Sequence, residues 1–166
     1  VKVPDTLRAL QDLASFQRSR FNIPVVAITG SNGKTTTKDM VGLVLSKGYN
    51  VLKTQGNLNN EIGLPLTLLQ LDDHHQVTVV EMGMSNLGEI HRLAEIARPT
   101  IGIITNIGVS HLQNLGTRDN ILKAKMEIFD FFGSEDWAIL NGDDEYLGRV
   151  GDEITSKTQY YGTRED

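Results

Sequence analysis

Gly30-Ser31-Asn32-Gly33-Lys34-Thr35-Thr36 brings together the residue types needed to grip a polyphosphate. The five residues before it, Val25–Thr29, are apolar or β-branched and read as a buried strand. Lys34 and the threonines after it open a segment that reads as helix. A strand, a glycine turn and a helix start aim backbone N–H groups and the positive helix end at one point, which makes an anion cradle. Gly30, Ser31, Asn32, Gly33, Lys34, Thr35 and Thr36 are therefore the candidate nucleotide-binding residues. In this layout Lys34 reaches the outer phosphates, and the Thr35 hydroxyl is a ligand for Mg2+. The spacing, G-x-x-G-K-T, is two residues shorter than the general G-x-x-x-x-G-K-[ST] form.

Three further side chains have the chemistry to act beside such a loop. Glu81 ends an otherwise apolar or β-branched run, Val77-Thr78-Val79-Val80. A carboxylate in a buried strand must be paired or bound to a cation; an ion pair and a metal site both meet that need. His111 lies in the loop Gly108-Val109-Ser110-His111, where either surface exposure or a ligand role is open. Lys125 falls in a predicted helix over residues 118–132. At ~100° per residue, Ile121, Leu122, Ile128, Phe129 and Phe132 share one arc, and Lys125 lies inside it. Lys123, Glu127 and Asp130 fall on the opposite face. A desolvated lysine loses its proton more readily. Lys125 can then serve as a neutral amine, or take up CO2 to form an anionic carbamate. A lysine snorkelling from the edge of the packed face is the alternative.

The elements that position these groups alternate in kind. A helix is predicted over residues 5–17, with Asp5 as N-cap and Leu7, Leu10, Leu13 and Ala14 as its apolar stripe. Strands are predicted over 25–29, 49–54, 76–82, 100–105, 137–141 and 158–161. Helices are predicted over 34–47, 61–71, 87–97 and 118–132. Alternation of this kind predicts an α/β fold, a mostly parallel sheet with helices on both faces. In such sheets ligands gather at the carboxyl ends of the strands. The phosphate loop, Glu81, Asn106, His111, Asn141, Asp143 and Asp144 all follow strands there. His74 and His75, in a polar turn away from that edge, read as solvent-exposed.

The 166 residues suit one domain, with 39% apolar residues and no low-complexity tract. A net charge of −5 and the lack of a basic patch argue against a nucleic-acid partner. No cysteine is present, so there is no disulfide framework. No apolar stretch reaches membrane-spanning length and no signal peptide is visible, so a cytoplasmic protein without membrane contact is expected. The first residue is Val1 rather than methionine, which leaves room for a longer parent.

From about Asp5 onward the chain resembles the ATP-binding central domain of the Mur ligases, whose shortened phosphate loop matches Thr29-Gly30-Ser31-Asn32-Gly33-Lys34-Thr35-Thr36-Thr37. Within that family it is similar to the MurF type through three segments. These are Gly56-Asn57-Leu58-Asn59-Asn60-Glu61-Ile62-Gly63-Leu64-Pro65, Glu81-Met82-Gly83-Met84 and Thr105-Asn106-Ile107-Gly108-Val109-Ser110-His111-Leu112. The resemblance implies a phosphate-loop NTPase-like central domain over 25–166, preceded by a lead-in helix and linker over 1–24. The family's N-terminal UDP-sugar domain and C-terminal amine-binding domain are not in this sequence, nor is its Gly-x-His-Asn-x-x-Asn stretch. It also implies Thr35 and Glu81 as Mg2+ ligands, and His111 and Lys125 (as the carbamate) at a second metal site. Lys34, His111 and Lys125 would be the catalytic residues, and Asn59 and Asn60 would face the substrate. The implied reaction is ATP-dependent addition of D-alanyl-D-alanine to UDP-N-acetylmuramoyl-tripeptide through an acyl phosphate, in a monomer. Another ligase of the superfamily, such as a folylpolyglutamate synthase, is the first alternative, against which Asn59-Asn60-Glu61-Ile62-Gly63 argues. A non-catalytic nucleotide-binding module is the second; the Asn-Lys-x-Asp pattern of a guanine site is absent.

Overall fold

Asp5 starts the first helix, its carboxylate accepting from the backbone N–H of Arg8 at 2.9 Å. The computed structural model describes residues 2–163, so Val1 and residues 164–166, the outer ends of the two predicted units, lie outside the described residues. Helix α1 (Thr6–Ser19) leads into β1 (Val25–Thr29), α2 (Lys34–Leu45), β2 (Val51–Lys53), α3 (Gly63–Leu68) and β3 (Val77–Glu81). Then come α4 (Glu89–Ala97), β4 (Ile101–Ile104), α5 (Leu112–Leu115), α6 (Arg118–Met126), β5 (Trp137–Asn141) and β6 (Lys157–Tyr161). The strands form one sheet in the order β2-β3-β1-β4-β5-β6, with every pair parallel.

The alternation of side chains along each strand separates two cores. Val25, Ala27, Val80, Ile104, Ala138 and Leu140 face the layer that holds α1, α3, α4 and α6. Val26, Ile28, Val77, Val79 and Ile103 face α2, which packs on them through Val41 and Leu45. Helices therefore cover both faces, as the alternation of elements predicts, with α2 the one helix on the second face among the described residues.

Helix α1 buries the predicted stripe only in part: Ala14 is buried, Leu7 and Leu10 are half-buried, and Leu13 turns outward. Leu13 is 59% exposed, and the inward face is Gln11, Ala14 and Arg18. The reason is that the layer beneath offers backbone carbonyls. Arg18 donates to the carbonyls of Ala97 at 2.9 Å, Phe21 at 2.5 Å and Ile23 at 3.1 Å. Gln11 donates to Glu61 O and accepts from Arg92 Nε at 2.9 Å. These bonds fix α1 against α3 and α4.

Several element ends differ from the sequence pattern. Helix α6 stops at Met126 and tightens into a 3-10 turn over Glu127–Phe129. There Phe129 and Phe132 meet edge to face at 5.1 Å above Gly102, where a Cβ would lie 2.6 Å from the Phe129 ring. On the face opposite the apolar arc Asp130 is exposed and Glu127 half-buried, and both are engaged: Glu127 accepts from Gly88 N and His91 N at the start of α4, and Asp130 meets His91. Pro65 sits in the first turn of α3, where its missing N–H costs no helical bond. Helix α5 has no counterpart in the sequence pattern, being one turn long. His74 is exposed, but His75 is partly buried against Asp72.

Candidate functional site

Gly30 ends β1 with φ +147°, and a Cβ on it would lie 1.8 Å from Thr105 Oγ1. Only glycine lets the chain after β1 pass this close to the chain after β4. The two loops are then laced together. Ser31 N donates to Asn106 O, and Asn32 N to Asn106 Oδ1, both at 3.0 Å. Asn106 Nδ2 donates to Asn32 O at 3.0 Å, Thr105 Oγ1 donates to the same carbonyl at 2.6 Å, and Gly108 N donates to Ser31 Oγ at 2.8 Å. The N–H groups of Ser31 and Asn32 thus shape the loop. The cradle faces outward with the start of α2, after Gly33 in the left-handed region at φ +80°. The first N–H groups of a helix have no partner within it and are available to an anion. Lys34 Nζ lies over the loop, donating to Gly30 O at 2.9 Å.

The second loop is itself braced from the far edge. Asp144 accepts from Ile107 N at 2.9 Å, and Arg118 donates to Ile107 O at 2.7 Å while its guanidinium stacks on Tyr146 at 4.3 Å. Asn141 donates to Thr105 O at 3.0 Å. The sequence order places Asn106, Asn141 and Asp144 at this edge; it gives no signal that they hold the loop rather than a ligand. Thr105, which buttresses the phosphate loop, carries no sequence signal beyond its strand position.

Glu81 is 2% exposed at the carboxyl end of β3. One oxygen accepts from Thr35 Oγ1 and the other from Asn59 Nδ2, each at 2.8 Å. Its own N–H donates to Thr54 Oγ1 at 3.1 Å. No cation among these partners pairs with the carboxylate, so the ion-pair reading of Glu81 gives way to one with two neutral donors. Asn60 points elsewhere, its Oδ1 accepting from Ile62 N and Gly63 N at the start of α3.

Lys125 is 1% exposed, whereas Lys123 on the same helix is exposed. Burial, with a smaller push from Lys34, brings the Lys125 amine down to about pKa 7. His111 adopts the left-handed region at φ 67°. Burial first, then Lys125 and Lys34, lower its pKa against a smaller opposing pull from Glu89, which favours the neutral ring. Lys34, Asn59, Asn60, Glu89, His111 and Lys125 line one cavity of about 380 Å³. Residues far apart in the chain and singled out from the sequence thus share one wall. Glu89, the first residue of α4, is a charged wall residue that sequence reasoning missed, because a glutamate at a helix start is ordinary.

The residues around Glu81 suit Mg2+. The Glu81 carboxylate and the Thr35 hydroxyl are hard oxygen donors in contact. Among the described residues no three acidic, histidine or cysteine side chains gather to hold a metal by themselves. That pattern fits an ion that keeps few protein ligands and completes its shell from phosphate and water. Among the described residues no helix is long and apolar enough to cross a membrane.

The profile of the Mur ligase middle domain matches residues 28–166. A Bacillus subtilis UDP-N-acetylmuramoyl-tripeptide–D-alanyl-D-alanine ligase is 46% identical over 163 residues, covering 98% of this chain and 35% of the relative. The solved MurF ligase from Thermotoga maritima in complex with ADP superposes with a TM-score of 0.92 at 34% identity, over 99% of this chain and 38% of that one. A UDP-N-acetylmuramoylalanyl-D-glutamyl-2,6-diaminopimelate–D-alanyl-D-alanyl ligase from Acinetobacter baumannii gives 0.91 at 37% identity, over 98% and 36%. The chain spans about a third of the length of the curated relatives it matches.

Proposed function

The chain belongs to the Mur ligase family by its middle domain, and we propose that it is the ATP-binding domain of a longer ligase of the MurF type. That enzyme joins D-alanyl-D-alanine to a UDP-N-acetylmuramoyl-tripeptide whose third residue is a diamino acid. The observation that carries this reading is the contact between Thr35 of the phosphate loop and the buried Glu81, whose other oxygen is held by Asn59, a lining residue of the cavity that Lys34, His111 and Lys125 share.

The start of α2 binds the terminal phosphates through backbone N–H groups. Lys34 moves from the Gly30 carbonyl to the γ-phosphate and follows the charge that builds there. Glu81 and Thr35 would hold one Mg2+, and His111 with a carbamate on Lys125 a second, where the ions neutralise phosphate charge during transfer. Asn59 fixes the Glu81 carboxylate in its orientation.

The substrate carboxylate enters the cavity beside Lys34. One of its oxygens bonds to the γ-phosphorus, and the bond to ADP breaks. The neutral amine of D-alanyl-D-alanine then adds to the acyl carbon, loses its proton, and expels phosphate carrying one former carboxylate oxygen. The protein positions the partners and follows charge, and forms no covalent bond with them.

An amine screen in the complete ligase tests the reading. With ATP and UDP-tripeptide present, ADP release should depend on D-alanyl-D-alanine, and glutamate or other single amino acids should leave it near background. Release driven by glutamate, with a folate in place of the UDP-tripeptide as the carboxylate substrate, would transfer the chain to the folylpolyglutamate type. Nucleotide binding with no amine-dependent turnover would leave only a binding module.

A further inference from the structure

Helix α4 has no cap of its own. Its N-cap position is Gly88, which has no side chain to offer and sits in the left-handed region at φ 86°. The open N–H groups at a helix start need an acceptor, and here it comes from another helix end. Glu127, in the 3-10 turn that closes α6, accepts from Gly88 N at 2.8 Å with one oxygen and from His91 N at 3.0 Å with the other. Resting on the ligase reading above, we propose that Glu127 is a positioning residue for the reaction: its hold on the start of α4 keeps Lys125 and His111 in register across the main cavity.

Three observations lead there. First, α6 runs without a break into the 3-10 turn, so Glu127 follows Lys125 on one continuous helical segment. The carboxylate and the cavity lysine therefore move as one piece. Second, the start of α4 is a joint rather than a free end. Next to Gly88 is Glu89, on the wall of the main cavity, whose oxygens accept from Ser85 N at 2.7 Å and Asn86 Nδ2 at 2.8 Å. Ser85 O in turn accepts from Asn114 Nδ2 at 3.3 Å. Asn114 belongs to α5, the short helix that His111 opens, and its N–H donates to His111 O at 3.1 Å. A run of hydrogen bonds thus leads from Glu127 through the start of α4 to His111. Third, other contacts already hold the two elements together. His91 Nδ1 lies 2.5 Å from Asp130, and its ring lies 5.0 Å from that of Phe131. Ile90 and Leu93 of α4 share a core with Ile121 and Ile128. What Glu127 adds is orientation: one carboxylate bonded at two points fixes a direction that a single bond or an apolar contact leaves free.

The test is Glu127→Gln in the complete ligase. The amide oxygen can take one of the two N–H groups, but its NH2 turns a donor toward the other, so the two-point hold is lost. kcat should fall about tenfold or more, the scale for a residue that orients a metal ligand from behind. KM for ATP should stay close to wild type, because Thr105, Asn106 and Gly108 hold the phosphate loop. In protein equilibrated with 13C-labelled bicarbonate, the Lys125 carbamate signal should weaken along with kcat. Ile96→Val, which loosens α4 in the core and leaves the tie to Glu127 intact, separates positioning from stability. It should lower the melting temperature and keep both kcat and the signal. Glu127→Asp keeps the charge with a shorter reach and should fall between Glu127→Gln and wild type. If Glu127→Gln unfolds, a weakened signal in Glu127→Asp supports the proposal and an unchanged one overturns it. Wild-type kcat and signal in a folded Glu127→Gln, or an equal loss in Ile96→Val, overturns this inference and leaves the ligase reading standing. A wild type without amine-dependent turnover overturns the ligase reading, and the carbamate signal in the variants then decides this inference by itself.

Discussion

Lys34→Ala in the complete ligase should lower kcat/KM for ATP by at least about a thousandfold, the range seen when a preorganised charge is removed from a reacting oxyanion. The ammonium already lies over the loop, 2.9 Å from Gly30 O, at the start of the helix whose N–H groups face outward. It needs only to exchange one oxygen for another to meet the γ-phosphate. Alanine leaves the fold untouched, because the loop is held by Thr105, Asn106 and Gly108 rather than by Lys34. The variant should therefore melt like wild type and fail in turnover. Near-normal turnover at saturating ATP would remove Lys34 from the site.

Lys125→Ala should lose most ligase activity and regain part of it with added acetate or formate, while Lys123→Ala stays close to wild type. The two lysines are two residues apart, yet one is buried on the cavity wall and the other is exposed. A protonated Lys125 would repel a cation held opposite it, whereas a carbamate attracts one and supplies an oxygen. Carbamate formation consumes the neutral amine and CO2 and releases a proton. With the amine lowered to about pKa 7, the neutral form predominates above that pH and is lost below it. In protein equilibrated with 13C-labelled bicarbonate, a carbamate carbon signal should grow as pH rises through about 7. It should be absent from Lys125→Ala. A silent Lys125→Ala beside an inactive Lys123→Ala would contradict the assignment.

The legible parts of this fold are those with a period or a forced chemistry. Strands β1, β3 and β4 are near-continuous β-branched runs, as buried parallel strands must be. Lys125 is legible because helical spacing puts it among Ile121, Ile128 and Phe129. What the sequence conceals is contact at long range. Glu127 and Asp130 fall on the polar face of their helix, and nothing local shows that they bond to the start of α4, some forty positions earlier in the chain. Leu13 completes an apolar stripe on paper, but carbonyls beneath α1 draw in Gln11 and Arg18 instead. Asn59 and Glu81 meet across twenty-two positions, which no local pattern encodes. The link of Asn59 to the substrate side comes from family resemblance alone.

The most direct measurement follows oxygen from substrate to phosphate. UDP-tripeptide labelled with 18O in its terminal carboxylate is turned over with ATP and D-alanyl-D-alanine by the complete ligase, and the released phosphate is weighed by mass spectrometry. If the phosphate loop, Glu81 and Lys125 wall a site where a carboxylate attacks the γ-phosphate, each phosphate carries one labelled oxygen from the peptide. Phosphate without label would mean that water, not the carboxylate, meets the γ-phosphate at this site, and would contradict the acyl-phosphate mechanism.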